Sequence, residues 1–434
     1  MTSTADAQAA RPVPGAPTTS ARLLHVGDPA LAHHLAVHGR LPEITGAQVI
    51  TAVEQSGLTG RGGAAFPTGR KLATVARAAG RKGSVVVANG CEGEPASGKD
   101  RTLMLTSPHL VLDGIELAAR AVGARQAYLC IHDDAHDVRS ALTTALAERA
   151  GAENGSVPVT LKPTPHRYVA SEETALIRAL NGGLSLPAFT PPRPFERGVA
   201  GRPTLVDNVE TLAHLALIAR HGPTWFRSLG TTAAPGTTLV TLSGAVRSPG
   251  VYEIPLGLTG ADLLALAGGP SEPVQAVLCG GYFGSWLPTD VFQRTEISAP
   301  GLAAAGSAIG AGIFIALPEG ACALTETARI TGYLAEQSAG QCGPCVHGLP
   351  ALAQALRELA TSGGTRSAHT LQTLMPFVER RGACRHPDGA VRMIASALRV
   401  FPDEVRAHAN RKLCPAATRP STPRDPHHGR RYGS

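Results

Sequence analysis

The segment GQCGPCVHG, Gly340 to Gly348, sets Cys342 and Cys345 two residues apart, and Cys384 follows further along the chain. Thiolates at this spacing hold iron–sulfur clusters or zinc, and a Cys-x-x-Cys pair also serves thioredoxin-like redox proteins. Two further stretches carry residue types suited to a site. LTGRGGAAFPTGRKL, Leu58 to Leu72, is glycine-rich and ends in Lys71 and Leu72. It lacks the Lys-Ser/Thr of a nucleotide-triphosphate loop and the last glycine of a dinucleotide fingerprint. A general phosphate cradle remains, in which backbone N–H groups, Arg61 and Lys71 face an anion; a plain turn explains the glycines equally well. VVVANGCEGEPASGKDR, Val85 to Arg101, runs an apolar strand straight into Asn89, Glu92 and Glu94. That puts an amide and two carboxylates at the C-terminal edge of a buried strand, where open α/β sheets bind ligands. RYVASEETALIRAL repeats the pattern with Glu172 and Glu173, although acidic residues are also simply good helix starters.

These groups need elements to position them. Strand-like runs SVVVANG, QAYLCIHD and VPVTLKPT alternate with helix-like SPHLVLDGIELAARAVG and DVRSALTTALAERAG. Such alternation predicts a mainly parallel sheet with helices on both faces, an α/β Rossmann-like domain. TTLVTLSG and GVYEIP, joined by Ser-Pro-Gly, read as a hairpin, and LTGADLLALAGG as a helix capped by Thr259, together an α+β unit of β-grasp type. LPALAQALRELATSG, HTLQTLMPFVERR and AVRMIASALRVFPDEVRAHA show helical spacing and predict a C-terminal bundle. The expected division is a disordered lead-in over 1–22, an α/β domain over 23–228, a β-grasp domain over 229–318, a helical domain over 319–412 and a basic tail over 413–434.

Composition narrows the class. The chain has 434 residues, 43% hydrophobic, with 40 Lys+Arg against 33 Asp+Glu. The cations are scattered and aromatics make up only 4%, so no nucleic-acid stripe is formed. The N-terminus lacks the basic start and apolar core of a secretory signal. The uncharged run Ile297 to Pro318 reads as a turn plus the buried strand GIFIAL rather than a membrane span. Eight cysteines without a signal point to reduced thiols. A cytoplasmic location follows, peripheral at the inner face of the cell membrane where a membrane-bound partner is present.

The ordered motifs GRGGAAFPTGRK (60–71), NGCEGEPASGKDR (89–101), SEETALIRALNG (171–182), GRPTLVDNVET (201–211) and QCGPCVHG with Cys384 resemble the NADH-oxidising flavoprotein subunit of respiratory complex I and its relatives in soluble hydrogenases and formate dehydrogenases. The resemblance runs from about residue 40 to 412. It implies an FMN-binding first domain, a β-grasp middle domain of SLBB type and a helical end binding a [4Fe–4S] cluster. By position, Gly60, Arg61, Gly62, Gly63 and Lys71 would contact the flavin and its phosphate. Asn89, Glu92, Glu172, Glu173 and Asn208 would surround the ring and ribityl chain, Glu94 would meet the nicotinamide, and Phe66 would lie against the dinucleotide. The implied acceptor is a ferredoxin-like or thioredoxin-like iron–sulfur subunit, in a membrane-associated complex in some members.

The chain departs from that pattern in several places. Cys91 stands where the family has an acid and reads as a small residue packed under the flavin. Ser171 replaces a glycine and Asp207 one of two adjacent asparagines. The aromatics expected for stacking adenine are replaced by Thr74 and Arg193, with Phe189 or Phe195 as substitutes; Arg193 would suit the phosphate of NADPH. Ala339 takes the place of one of the four cluster cysteines. Four readings compete for what Cys342, Cys345 and Cys384 hold: a cubane with another fourth ligand (Cys414, Ser338, His347 or water), a [3Fe–4S] cluster, a vestigial site, or zinc completed by His347 or His386. Cys130, Cys279 and Cys322 read as packing. Two alternative functions stand beside NADH oxidation: a non-catalytic relative that keeps the fold as a scaffold, and an Rnf-like ferredoxin-linked subunit.

Overall fold

The computed structural model describes residues 21–24, 27–150 and 157–414. Most of the expected lead-in and basic tail therefore lies outside the described residues. Arg22 does not: its guanidinium stacks on Trp225 at 3.8 Å and donates to the Phe226 carbonyl at 3.0 Å.

The first sheet is built from β1 (Ser84–Asn89), β2 (Ala124–His132), β3 (Val159–Thr164) and β4 (Thr204–Asn208), in the order β3-β2-β1-β4 and parallel throughout. Val85, Val86, Val87 and Ala88 of β1 are completely buried because helices cover both faces. The chain winds outward from β1 through β2 to β3, then returns to the other side of β1 as β4. The strand order reverses between β1 and β4, the kind of switch point outside whose carboxyl ends open α/β sheets bind ligands. Asn89 and Asn208 are the last residues of these two strands and pair in register. The sheet thus brings two amides to one edge at this switch point.

The second sheet holds β5 (Thr237–Gly244), β6 (Gly250–Pro255), β7 (Val274–Cys279), β8 (Ser285–Pro288) and β9 (Ile313–Pro318) in the order β6-β5-β9-β7-β8. β5 and β6 form the expected antiparallel hairpin, and β5 runs parallel to β9, the buried GIFIAL strand. Thr259 caps the helix Gly260–Leu266 through a reciprocal exchange with Asp262. The Glu253 carboxylate of β6 accepts the backbone N–H groups of Arg22, Leu23 and Leu24, tying the start of the described chain to this sheet.

The C-terminal part is helical: Ala323–Glu336, Leu349–Thr361, Thr365–Val378, His386–Val400 and Pro402–Ala409. The third expected helical stretch divides at Phe401, because Pro402 has no N–H to continue the helix and instead starts a new one. A π-type turn, Pro344–Gly348, leads into Leu349–Thr361 and carries Cys345. Among the described residues no helix is long and apolar enough to cross a membrane.

Candidate functional site: a glycine loop at the strand switch point and a three-thiol loop

The loop after Thr59 closes on itself, with the Gly60 N–H donating to the Phe66 carbonyl at 2.9 Å. Gly63 has φ of +106°, a conformation that disfavours any side chain. A Cβ on Gly62 would lie 3.4 Å from the Asn208 Cβ, so the loop passes directly over the end of β4. A cleft separates Thr59, Gly60 and Arg61 from Thr238, Leu239 and Gly310 of the second sheet domain.

Below the loop, Lys71 donates to the Val206 carbonyl and stands 3.8 Å from Asp207, keeping 30% of its side chain exposed. Asp207 Oδ2 is buried without a partner, an acceptor that a donor on a ligand would satisfy. Asn89 donates to the Ser171 carbonyl at 2.9 Å. Asn208 caps the helix Val209–His221 by accepting the Glu210 N–H at 3.0 Å and donates to Asp100 at 2.7 Å. A close-approach glycine loop, a partly exposed lysine and an orphaned acceptor at a strand switch point fit FMN.

Some of the expected contact residues have other partners. The Arg61 guanidinium is buried, donating to the Thr59 and Thr237 carbonyls at 3.0 and 3.1 Å and lying 3.8 Å from Glu210. It acts as a strut between the loop and β5, with Nε buried and without a hydrogen-bond partner. Glu92 accepts the Asp100 and Arg101 N–H groups at 3.1 and 3.2 Å and so caps the helix Lys99–Thr106. Glu172 likewise caps Glu173–Leu180 through the Thr174 and Ala175 N–H groups. Glu173 lies half-buried on the same turn, and Phe66 is 47% exposed beside the loop.

Glu94 is buried where the three parts of the chain meet. One of its oxygens accepts the Tyr168 hydroxyl at 2.8 Å and the other the Tyr282 N–H at 2.9 Å. Burial pushes its carboxyl up to about 7, although both hydrogen bonds pull the other way. Below about pH 4.5 the group is protonated in the folded and unfolded chain alike. Between about 4.5 and about 7 only the unfolded chain gives up the proton, so stability falls as pH rises, and above that range the cost is constant. At roughly 1.4 kcal/mol per pKa unit the loss is on the order of 2–4 kcal/mol. Glu94→Gln is therefore expected to flatten this part of the stability curve, checked by denaturant midpoints from pH 4 to pH 8.

Tyr168 continues from Glu94 to the cluster loop, meeting the His386 ring edge-on at 5.4 Å, two residues beyond Cys384. Burial, then the neighbouring Cys342 and Cys384, drive the Cys345 thiol up to about 12; the Ala339 N–H acts against them. Burial also raises Cys384, and Glu172 is among the charges that add to this. With both thiols raised, Cys345 and Cys384 favour a compensating positive charge for ionisation, which iron supplies. A single zinc ion would need its sulfurs about 3.8 Å apart. Among the described residues, however, the one set of three or more donor side chains lying within 4.8 Å of one another is elsewhere, at Cys322. Cys342, Cys345 and Cys384 do not form such a compact set, which disfavours the zinc reading, and thiolate donors suit an iron–sulfur cluster.

The fourth-ligand candidates separate as well. Cys414 lies 3.4 Å from His408 and belongs to the Cys322 set. His386 turns Nε2 to the Leu334 carbonyl at 2.7 Å, and His347 is exposed. The packing assignment holds for Cys130 and Cys279; Cys322 is buried in the core of the helical part and also faces Glu404 and His408. Cys91 is buried in the small core under β1, and burial takes its thiol up to about 12, as a packing residue requires.

A buried ionic network escaped the sequence reading. Lys99, 3% exposed, binds Asp100 at 2.6 Å and Glu210 at 2.8 Å and reaches Asn208 at 3.3 Å. Glu210 also accepts the Leu239 N–H at 2.8 Å and the Thr238 hydroxyl at 3.0 Å, fastening the first domain to β5. Burial pushes Glu210 up, but Lys99, His214 and Arg61 together hold it below its ordinary value. Its one sequence signal is position, since Lys99 and Glu210 lie near the ends of the motifs at 89–101 and 201–211.

Comparison with known proteins agrees with this geometry. The family model for the Nuo51 FMN-binding domain matches residues 53–217, that for the SLBB domain 239–281, and that for the NADH-ubiquinone oxidoreductase-F iron-sulfur binding region 325–408. An F-type subunit of NADH-quinone oxidoreductase from Rhizobium meliloti (strain 1021) is 34% identical over 395 residues, covering 88% of this chain and 93% of the relative. The F-type subunit of Streptomyces coelicolor (strain ATCC BAA-471 / A3(2) / M145) is 34% identical, covering 85% of this chain and 84% of the relative. An NAD+-reducing [NiFe]-hydrogenase, solved in its H2-reduced state, matches with a TM-score of 0.77 and 29% identity over 84% of this chain; the match spans 63% of the hydrogenase chain. The chain belongs to the family of F-type subunits of NADH-quinone oxidoreductase.

Proposed function

We propose that this chain is an NADH-oxidising flavoprotein subunit that holds FMN at the β1–β4 switch point and an iron–sulfur cluster on Cys342, Cys345 and Cys384. One observation carries the reading. The register-paired Asn89 and Asn208 lie under a glycine loop, and Glu94, Tyr168 and His386 connect that edge to the three-thiol loop. When bound, FMN supplies an acceptor for a hydride that can be emptied one electron at a time, and the cluster supplies a one-electron carrier.

The protein's share of the work is placement. Gly60, Gly62 and Gly63 keep the loop low enough for close approach, Lys71 offers a cation to the phosphate, and Asn89, Asn208 and Asp207 offer polar atoms to the ring and ribityl chain. Glu92, Glu172 and Glu173 shape the wall beside them, with Glu92 and Glu172 fixed as helix caps and Arg61 bracing the loop from behind. Glu94 and Phe66 border the nicotinamide side. Three thiolates suit a [4Fe–4S] cubane whose remaining iron takes a non-cysteine ligand, and a [3Fe–4S] cluster equally; iron counting distinguishes them. Electrons leave towards a partner iron–sulfur subunit, ferredoxin-like or thioredoxin-like, in a complex peripheral to a membrane. Val346, 48% exposed next to Cys345, and Phe377, 62% exposed on the helix packed against this loop, give such a partner an apolar landing place.

The adenine end differs from the family pattern. Phe195 is half-buried and packs against the main core, whereas Phe189 is 74% exposed and free to stack. Phe189→Ala is expected to raise KM for NADH about 5-fold, one stacking contact of ~1 kcal/mol, with kcat retained. An unchanged KM would remove Phe189 from the site. The overall reading is tested by FMN content together with NADH-dependent and NADPH-dependent ferricyanide reduction by the purified chain. Absence of both FMN and turnover would refute it.

A further inference from the structure

The Cys322 set is a second group of metal-ligating side chains, and it contains none of the cluster cysteines. Cys322 caps the first helix of the bundle, Ala323–Glu336. Glu404 and His408, four residues apart, share one face of the last helix, Pro402–Ala409. The chain then folds back and brings Cys414 against His408. The four ligand atoms all lie within 4.8 Å of one another. Cys322 is 2% exposed and His408 fully buried, with Glu404 and Cys414 at the rim.

We propose that Cys322, Glu404, His408 and Cys414 form a structural zinc site that clamps the two ends of the helical bundle together. The donor set of two sulfurs, an imidazole and a carboxylate is one that tetrahedral zinc favours. With Zn–S of about 2.3 Å and Zn–N of about 2.0 Å, an S···N edge of the tetrahedron is about 3.5 Å. His408 Nε2 lies 3.4 Å from the Cys414 sulfur and 3.9 Å from that of Cys322, on either side of that value. His408 Nδ1 lies 3.1 Å from the Leu359 carbonyl, a contact that puts the proton on Nδ1 and leaves the Nε2 lone pair facing the sulfurs. This is the outer hydrogen bond that orients zinc-binding histidines.

Helix capping alone does not account for the group. Glu404 accepts the Leu324 N–H at 3.0 Å and the Ala323 N–H at 3.3 Å, and Cys322 accepts the Thr325 N–H at 3.3 Å. Those contacts cap the helix without His408 or Cys414. Two further contacts give way on metal binding: the Cys322 thiol donates to Glu404 at 2.9 Å, and the Cys414 N–H approaches His408 Nε2 at 3.4 Å. As zinc enters, both thiol protons leave to solvent, and each thiolate, the imidazole and one carboxylate oxygen bind the ion; no electron is transferred.

The test is metal analysis of the full chain, purified anaerobically from zinc-supplemented medium, with zinc and iron counted separately. About one zinc per chain is expected in the natural sequence. Cys414→Ser should lose at least about 10-fold in zinc retention against a chelator and keep its iron. Cys345→Ser should lose iron and keep zinc, which separates this site from ion misplaced in the cluster loop. Cobalt substitution should give a thiolate-to-cobalt absorption that Cys414→Ser lacks. Zinc near zero in the natural sequence, zinc lost with Cys345→Ser, or a Cys322–Cys414 disulfide in a non-reducing peptide map would each overturn the proposal. The unsubstituted chain decides even if a variant misfolds.

Discussion

Lys99→Met should lower the unfolding free energy by about 3–5 kcal/mol, one of the two largest single effects expected in this chain. The ammonium is buried and binds Asp100, Glu210 and Asn208 at once. Its removal leaves Glu210, with no exposed surface, beside Asp100 without its strongest counter-charge. Burial already takes the Asp100 carboxyl up to about 6 with Lys99 present. Because breaking a buried pair costs more than removing both partners, Lys99→Met/Glu210→Gln should recover more than half of the loss. Urea midpoints for the single and double variants measure this directly. A cost below about 1 kcal/mol for the single variant would show that water reaches the network and screens it.

The second large effect falls on the cluster. Cys345→Ser is expected to reduce bound iron to near zero, because the hydroxyl of serine is a far weaker iron ligand than a thiolate. The loss should exceed the roughly 10–100-fold change in affinity typical of removing an outer hydrogen-bond partner of a metal ligand. FMN content should be unchanged, since Cys345 sits on the π-type turn of the helical part, whereas the proposed flavin edge lies at β1 and β4 of the first sheet. Iron analysis with flavin fluorescence checks both halves. Retention of iron would mean that the thiols at Cys342 and Cys384 suffice, or that the iron sits elsewhere.

The contrast between these two predictions shows what the sequence made legible. The strands were readable because β1, β5 and β9 are short apolar runs bounded by turn residues, and Asn89 was placed correctly because a parallel sheet exposes its carboxyl ends. The thiols at Cys342 and Cys345 carry their chemistry in their spacing. Residues whose roles depend on distant partners were not readable. Arg61 in a glycine loop looks like an anion ligand, and its bond to the Thr237 carbonyl and nearness to Glu210, far along the chain, add a bracing role that no local pattern shows. Glu92 and Glu172 look like cofactor contacts, and the structure adds that their oxygens also cap helix N-termini. Cys322 in an apolar context reads as packing, because nothing local indicates that His408 and Cys414 return to it. The same holds for Lys99 and Glu210, which lie 111 residues apart in the sequence.

The central claim is that one chain carries a flavin at the β1–β4 edge and a thiolate-bound cluster connected to it by Glu94, Tyr168 and His386. The most direct measurement is an anaerobic NADH titration of the purified chain, followed by visible absorption and electron paramagnetic resonance. Bleaching of a bound flavin band, together with a cluster signal that is absent from Cys345→Ser, is the predicted result. A chain that carries no flavin, or a flavin that NADH leaves unbleached, would contradict it.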